Sequence, residues 1–164
     1  MKKSKNAFSL IEILLVVAIF AILGVLISRV ILTTLKGSNR SDSLVRVREN
    51  LDYALAVMER QIRNSESVVA CPNPDPLRVD YRDTDGVSTY FSCVNVRSNG
   101  YIASGSARLT SDEVNITSCS FSCSPASGRT PPSVTINLSA KDVFAQGIEQ
   151  AQVTATTKIF LRTY

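Results

Sequence analysis

The sequence predicts an α+β protein in which a long N-terminal α-helix packs on a C-terminal antiparallel β-sheet head. Residues 8–65 contain no proline and combine an apolar run with an amphipathic stripe, whereas residues 77–161 hold short alternating or β-branched runs. Four regions are expected along the 164 residues: a leader at 1–7, a transmembrane helix at 8–28, an amphipathic helix at 29–66 and a β-rich head with disulfides at 67–164.

Residues 8–27 form an apolar run that carries a single charge, Glu12. Twenty helical residues at about 1.5 Å each span roughly 30 Å, which is the hydrocarbon thickness of a bilayer. The run is longer than the apolar region of a usual signal peptide, and residues 24–29 (GVLISR) offer no clean small-x-small cleavage site. We therefore expect this run to cross a membrane as a helix.

Glu12 is an unusual residue for such a helix, because a carboxylate near the bilayer centre costs about 2.5 kcal/mol or more. It lies four residues inside the run, so its side chain either reaches the headgroups from the helix end or pairs with an opposite charge. Three lysines, Lys2, Lys3 and Lys5, crowd the N-terminal flank. That flank favours a cytoplasmic N-terminus and an extracytoplasmic head.

The net charge of +4 is unevenly distributed along the chain. Residues 66–164 hold eight basic and nine acidic side chains, so the head lacks the concentrated basic patch that binds phosphates, which argues against a nucleic-acid partner. The chain has no His and no G-x-S-x-G motif. The sequence therefore predicts no catalytic residue, no metal site, no cofactor and no enzymatic activity.

A second helical signal follows the apolar run. Six apolar residues recur at steps of three or four, and this amphipathic stripe is expected to cover the core of the head. They are Leu44, Val47, Leu51, Leu55, Met58 and Ile62. Gly37 lies in a weakly helix-forming stretch upstream, which marks either a hinge or the water-exposed exit from the membrane.

The remainder of the chain predicts five strands, at 77–82, 87–96, 113–121, 133–138 and 153–161. Residues 83–86 (DTDG) predict a hairpin turn between the first two. Asp83 and Asp85 could ligate calcium, but the loop lacks the further ligands of a full calcium motif. The Gly- and Ser-rich residues 98–106 are expected to form a loop, and residues 142–150 a helical turn or a loop.

All four cysteines, Cys71, Cys93, Cys119 and Cys123, lie beyond the apolar run. An even count past a membrane segment favours an oxidising compartment and two disulfides. The simplest pairing joins Cys71 to Cys93 around the first hairpin and leaves Cys119 with Cys123. Four cysteines allow three connectivities, and the sequence leaves all three open.

Residues 7–12 (AFSLIE), after the short basic leader, closely resemble the cleavage and methylation motif of type IV prepilins and type II secretion pseudopilins. The resemblance implies that a prepilin peptidase cuts between Ala7 and Phe8 and N-methylates Phe8. The family usually has Gly where this chain has Ala7. The resemblance also implies that Glu12 serves in subunit assembly by facing the terminal amine of a neighbouring subunit, so that only the assembled state satisfies the buried charge.

The same resemblance implies a pilin-like fold and a structural function, as a minor pilin or pseudopilin that assembles through its N-terminal helix. The implied partners are sister subunits, the prepilin peptidase, an inner-membrane assembly platform and membrane lipid. The implied location is the inner membrane and then a pilus or pseudopilus. The absence of proline from the apolar helix, and residues 108–111 before a Val/Ile strand, resemble the J-type pseudopilins and W-type minor pilins.

Two alternatives stay open at the level of sequence. One is a membrane-anchored extracytoplasmic binding domain that never enters a fibre. The other is a subunit of a DNA-uptake pilus, in which four head arginines could contact phosphates although the head is slightly acidic. They are Arg78, Arg82, Arg97 and Arg108.

Overall fold

The computed structural model describes residues 9–69 and 74–161. The predicted cleavage site at Ala7 and Phe8 lies outside these residues, and so does Cys71. The chain divides into two compact units, Met1–Ser38 and Asn39–Tyr164. The predicted fold class is confirmed, because one long N-terminal helix is followed by antiparallel sheets.

Helix α1, Leu10–Arg63, contributes residues to both units. The helix continues through Gly37 without interruption, and apart from its two chain neighbours and the helix's own backbone no atom lies within 4 Å of the place where a Cβ on Gly37 would stand. In the first unit, all described residues of the helix are exposed. Its buried residues all belong to the second unit, where they form one face.

The buried face of α1 corrects the predicted stripe. Leu44 is 39% exposed and Leu55 only half-buried, so the prediction is wrong for the first and only partly right for the second. Neighbouring residues of a helix point about 100° apart, so the smaller Ser43 and Ala54 lie on the buried face beside Leu44 and Leu55. The buried residues are Ser43, Val47, Leu51, Ala54, Met58 and Ile62.

The first sheet of the second unit has five antiparallel strands in sequence order. They are β1 (Ser67–Val68), β2 (Arg78–Arg82), β3 (Ser88–Val94), β4 (Tyr101–Ser104) and β5 (Ala107–Arg108). The prediction of a loop over 98–106 is wrong, because β4 lies inside it and buries Ile102 and Ala103. Gly105, at φ +57°, makes the tight turn into β5, so the Gly- and Ser-rich composition marks the ends of a short strand.

The second sheet has three antiparallel strands, β6 (Val114–Ser124), β7 (Ser133–Asp142) and β8 (Gln152–Phe160), also in sequence order. The pairing of β6 with β7 shifts between Ile116 and Ser118, which is a β-bulge. The bulge changes which side chains face inward: Val114 and Ile116 are buried before it, and Cys119 and Phe121 after it. Residues 143–151 join β7 to β8 and contain a short 3₁₀ helix, Gly147–Glu149.

The core of the second unit is a single hydrophobic cluster built from α1 and both sheets. Phe91 of β3 and Leu51 of α1 are among its largest fully buried side chains. The rings of Phe91 and Tyr81 stack with centroids 5.2 Å apart. The second half of the helix thus supplies one wall of the head, as the amphipathic pattern predicts.

Candidate membrane and assembly site

The site predicted around Glu12 lies at the start of α1. The backbone carbonyl of Ser9 accepts hydrogen bonds from the amides of Glu12, at 3.0 Å, and Ile13, at 3.3 Å, and so begins the helix. Glu12 stands in the first helical turn, where the helix dipole favours a negative charge. Its side chain is exposed, and no cation of residues 9–69 or 74–161 forms an ion pair with it.

Apolar side chains dominate the surface around this carboxylate over more than seven helical turns, in which Arg29 is the other charged residue. The large apolar side chains of residues 10–35 are all exposed, from 43% at Val16 to 77% at Leu10. Within the described part of the chain, α1 is the one helix long and apolar enough to cross a membrane, and its most apolar stretch is unburied. A patch of this size is expected to be covered by lipid or by other helices, because contact between so large an apolar surface and water costs much free energy.

Polar side chains near the end of the apolar run are satisfied within the helix itself. The hydroxyl of Ser28 donates to the carbonyl of Gly24 at 2.8 Å, and Thr33 and Thr34 make the same bond to the carbonyls four residues before them. Such bonds allow hydroxyl groups to lie in an apolar environment. Glu12 and Arg29 are the charged residues of this segment, and Glu12 is the one near its N-terminal end, where no counter-charge lies among the described residues.

The cysteine connectivity differs from the simplest pairing. Cys93 of β3 forms a disulfide with Cys119 of β6, with the Cα atoms 6.3 Å apart, so pairing of Cys71 with Cys93 and of Cys119 with Cys123 is wrong. Both cysteines of the observed bridge are buried, because the bulge in β6 turns Cys119 toward the core beneath β3. Cys123 is also disulfide-bonded.

The segment 83–86 forms the predicted turn between β2 and β3. The carboxylate of Asp83 accepts hydrogen bonds from the amides of Asp85, at 3.0 Å, and Val87, at 2.9 Å, while Gly86 takes a φ of +78°. Over residues 9–69 and 74–161, no group of three His, Cys, Asp or Glu side chains is placed to hold a metal ion. Asp83 acts here as a turn residue.

A cavity of about 490 Å³ opens beside this turn, between α1 and the first sheet. The Tyr81 hydroxyl at its wall donates a hydrogen bond to the Gln61 side-chain oxygen at 2.6 Å. Burial of the phenol raises the pKa of Tyr81 above its usual value. The cavity is also lined by Arg60 and by the hydroxyls of Ser88 and Thr89, so it is suited to hydrogen bonding.

Asp142, at the end of β7, is a structural residue that sequence reasoning missed. Its buried carboxylate accepts hydrogen bonds from the amides of Phe144, at 2.7 Å, and Ala145, at 3.2 Å, and from Nε of Arg46 at 3.3 Å. Burial alone would raise the pKa of Asp142, but these bonds, a Ser43 hydroxyl and the Arg46 charge lower it below its usual value. An Asp followed by a turn is the signal that could have found it.

Comparison with known proteins bears on the N-terminal segment. The family model of the prokaryotic N-terminal methylation motif matches residues 2–28. No curated protein and no solved structure matches the chain. The matched residues contain the basic leader, the AFSLIE stretch with Glu12, and most of the apolar surface of α1.

The motif and the helix agree in position, because the matched residues 2–28 run from the basic leader into the exposed apolar part of α1. A disulfide in the second unit agrees with a location beyond a membrane. The chain thus carries the N-terminal methylation motif of type IV pilin-like proteins at the start of its apolar, membrane-anchoring helix. Pilins and pseudopilins with this motif are matured by a prepilin peptidase.

Proposed function

We propose that this protein is a minor pilin or pseudopilin, a structural subunit without enzymatic activity in a type IV pilus or a type II secretion pseudopilus. The observation that carries the proposal is the methylation motif over residues 2–28, placed on a helix whose apolar side chains are all exposed. A helix of this kind has two successive roles: it first anchors the new subunit in lipid, and it then packs against the helices of other subunits.

Maturation is expected to follow the motif. The peptidase cuts between Ala7 and Phe8, removes the three leader lysines and methylates the new amine of Phe8. The subunit then waits in the inner membrane with its N-terminus cytoplasmic and its disulfide-bonded head extracytoplasmic. An inner-membrane assembly platform extracts it into the fibre.

Glu12 is the proposed determinant of assembly. Its carboxylate is exposed on an apolar surface, and burial without a counter-charge would cost several kcal/mol in order of magnitude. The amine that cleavage creates on a neighbouring subunit supplies that counter-charge. Only one axial offset between two helices brings the two groups together, so the pair sets the register of the fibre.

A minor rather than a shaft-forming role is supported by the sequence of the helix. No proline occurs before residue 72, whereas the shaft-forming pilins of the family often place one in the membrane helix. A subunit that is present in few copies would prime the fibre, cap its tip or present the second unit to a substrate. The resemblance to J-type and W-type members points the same way.

The proposal is tested by Glu12→Ala in cells that make the complete assembly machinery. The fraction of the subunit in sheared and purified fibres, divided by the amount in the membrane, is expected to fall at least about tenfold. The matched control is Glu49→Ala, which removes an exposed carboxylate from the second-unit part of the same helix. Incorporation of both variants at the level of the unaltered chain would contradict the role of Glu12 and favour a membrane-anchored binding domain.

A further inference from the structure

The cavity beside the turn at residues 83–86 is a polar pocket between the last turn of α1 and the β2–β3 hairpin. Its volume of about 490 Å³ lies within the roughly 300–1,000 Å³ that small-molecule sites occupy. All of its described lining residues belong to the second unit, in which α1 and the first sheet share one core. Val87 is the one purely apolar residue among these described residues, whereas most small-molecule pockets are largely apolar. The lining therefore indicates a ligand that is itself polar.

The inner wall of the cavity is a network of hydrogen bonds around Tyr81. The Tyr81 hydroxyl donates to the Gln61 side-chain oxygen at 2.6 Å, and the hydroxyls of Thr89 and Ser104 are hydrogen-bonded to the same phenol. Tyr81 and Thr89 are direct partners across β2 and β3, so their side chains lie on the same face of the sheet. The Tyr81 ring also stacks on the buried Phe91. This wall is thus formed before any ligand arrives, which lowers the cost of binding.

The outer wall carries polar groups that the protein leaves unused. Arg60 and Asn64 lie four residues apart at the end of α1 and therefore on one side of it. Neither side chain forms a hydrogen bond or an ion pair with any residue that the structure describes. In the turn, Oδ1 of Asp83 accepts both amide bonds, while Oδ2 accepts none from the described residues. Donors of the helix and an acceptor of the turn thus line the same opening.

The charges of the lining favour a neutral ligand. Arg60 is the one cation and Asp83 the one anion among the described lining residues. An anionic ligand would be repelled by Asp83 and a cationic ligand by Arg60. A hydroxyl group both donates and accepts, so a neutral ligand with several hydroxyls satisfies the two residues together. The neighbouring charges also come in pairs of opposite sign. They are Glu59 with Arg63 on α1, and Arg82 with Asp85 on either side of Asp83 in the chain.

We propose that this cavity is a saccharide-binding site, which takes one or two neutral sugar units through their hydroxyls. Arg60 and Asn64 donate to sugar oxygens, and Asp83 accepts from a sugar hydroxyl. Val87, which is 58% exposed, packs against the carbon face of a sugar ring. A peptide is a poorer match, because peptide sites add pockets for apolar side chains to their backbone contacts. The inference does not rest on the proposed function, since the second unit would bind sugar whether or not the subunit enters a fibre.

The test is saturation-transfer NMR on the full-length chain in dodecylphosphocholine, because a maltoside or glucoside detergent would itself compete for the cavity. The probes are lactose, maltose and cellobiose, each as the free sugar and as its methyl glycoside. At least one probe is expected to bind with a Kd on the order of 1 mM, since each hydroxyl that enters gives up a hydrogen bond to water. Equal binding of a methyl glycoside identifies the end of a sugar chain as the source, and binding of the free form alone identifies a free saccharide. Either result supports the site.

Arg60→Ala is the decisive variant, because the Arg60 side chain takes no part in the Tyr81 network and its loss leaves the fold intact. The Kd of the bound sugar is expected to rise at least about tenfold, since hydrogen bonds to a charged group contribute most. Asn64→Ala is a second variant and should raise the Kd by a smaller factor. The matched control is Arg48→Ala, which removes an exposed arginine about 18 Å earlier in α1 that does not line the cavity. Its Kd should equal that of the unaltered chain.

Two further probes, inorganic phosphate and N-acetylalanine methylamide, represent the competing classes of ligand. Binding of either that is lost in Arg60→Ala, without binding of any sugar, overturns the proposal in favour of an anion or a peptide site. Sugar binding that is equal in Arg60→Ala and Arg48→Ala also overturns it, because the sugar then lies elsewhere on the protein. Failure of every probe to bind overturns it as well and identifies the cavity as a water-filled gap between helix and hairpin.

Discussion

Cys93 and Cys119 link the two sheets of the head, because the first lies in β3 and the second in β6. The bridge closes a segment of 26 residues that contains β4 and β5. Both strands are short, and neither sheet is hydrogen-bonded to the other as a regular ladder. The bridge therefore joins two layers that otherwise meet mainly through side-chain packing.

Removal of this bridge by Cys93→Ser with Cys119→Ser should lower the free energy of unfolding by about 3 kcal/mol, because a closed loop of this length restricts the unfolded chain. Urea unfolding without reductant measures the difference, and the same comparison in excess reductant is the control, in which the two proteins should converge. Peptide mapping under non-reducing conditions should recover Cys93 linked to Cys119. Recovery of Cys93 linked to Cys71 would contradict the connectivity.

The cysteines also show where sequence reasoning reaches its limit. The strands around them follow from alternating patterns, and the observed β3, β6, β7 and β8 match the predicted positions closely. The pairing depended on a bulge at the Ile116–Ser118 step, which shifts the alternation by one residue and leaves no mark in the residue types.

Small residues were the second source of error. Ser43 and Ala54 lie fully buried in the helix face, and the larger Leu44 and Leu55 were predicted there because apolar size was the signal used. A close approach of helix and sheet selects small side chains, and that approach is a tertiary property. Glu12 and the peptidase motif were visible in the sequence because their residue types and order are themselves the signal.

The pair of Asp142 and Arg46 predicts a specific acid sensitivity. The pKa of Asp142 is lowered from its usual 3.8, so its stabilising bonds are complete above that value and are lost as the pH falls through the lowered pKa of the folded state. Asp142→Asn should reduce the free energy of unfolding by about 1–3 kcal/mol near neutral pH. It should also flatten the loss of stability measured below about pH 4.

Urea unfolding of the unaltered chain and of Asp142→Asn over that pH range is the measurement. The control is Asp52→Asn, which alters an exposed carboxylate of α1. If Asp52→Asn and Asp142→Asn changed stability equally, the buried hydrogen bonds would not be the cause.

Two glycines are expected to respond in opposite directions to alanine. A Cβ on Gly100 would clash with the backbone carbonyl of Ile116. The two residues lie this close because the Ile116 amide donates a hydrogen bond to the Gly100 carbonyl at 2.8 Å. Gly100→Ala should therefore cost about 1–3 kcal/mol of unfolding free energy. Gly37→Ala meets open space inside α1 and should raise helix stability by about 0.5–1 kcal/mol.

Circular dichroism during thermal unfolding in detergent distinguishes the two substitutions. A large loss from Gly37→Ala would indicate that residue 37 must leave the helical conformation. A neutral Gly100→Ala would contradict the close approach of the β3–β4 connection to β6.

The residue at position 7 is expected to influence how fast the leader is cleaved. The family usually has Gly before the scissile bond, so Ala7→Gly should be cleaved at least as fast as the unaltered chain by a prepilin peptidase. Pulse-labelled precursor and mature bands measure the rate in cells, with Ala18→Gly in the apolar helix as a control for the added glycine. Slower cleavage of Ala7→Gly would contradict the assignment of residue 7 to the position before the cut.

The most direct measurement of the whole account is the mass of the N-terminal peptide from protein made in a host with a prepilin peptidase. The account predicts a first residue of Phe8, carrying one methyl group on its amine, and no peptide that contains residues 1–7. A membrane-bound protein that retains Met1 and the leader, although the peptidase is active on other substrates, would contradict it.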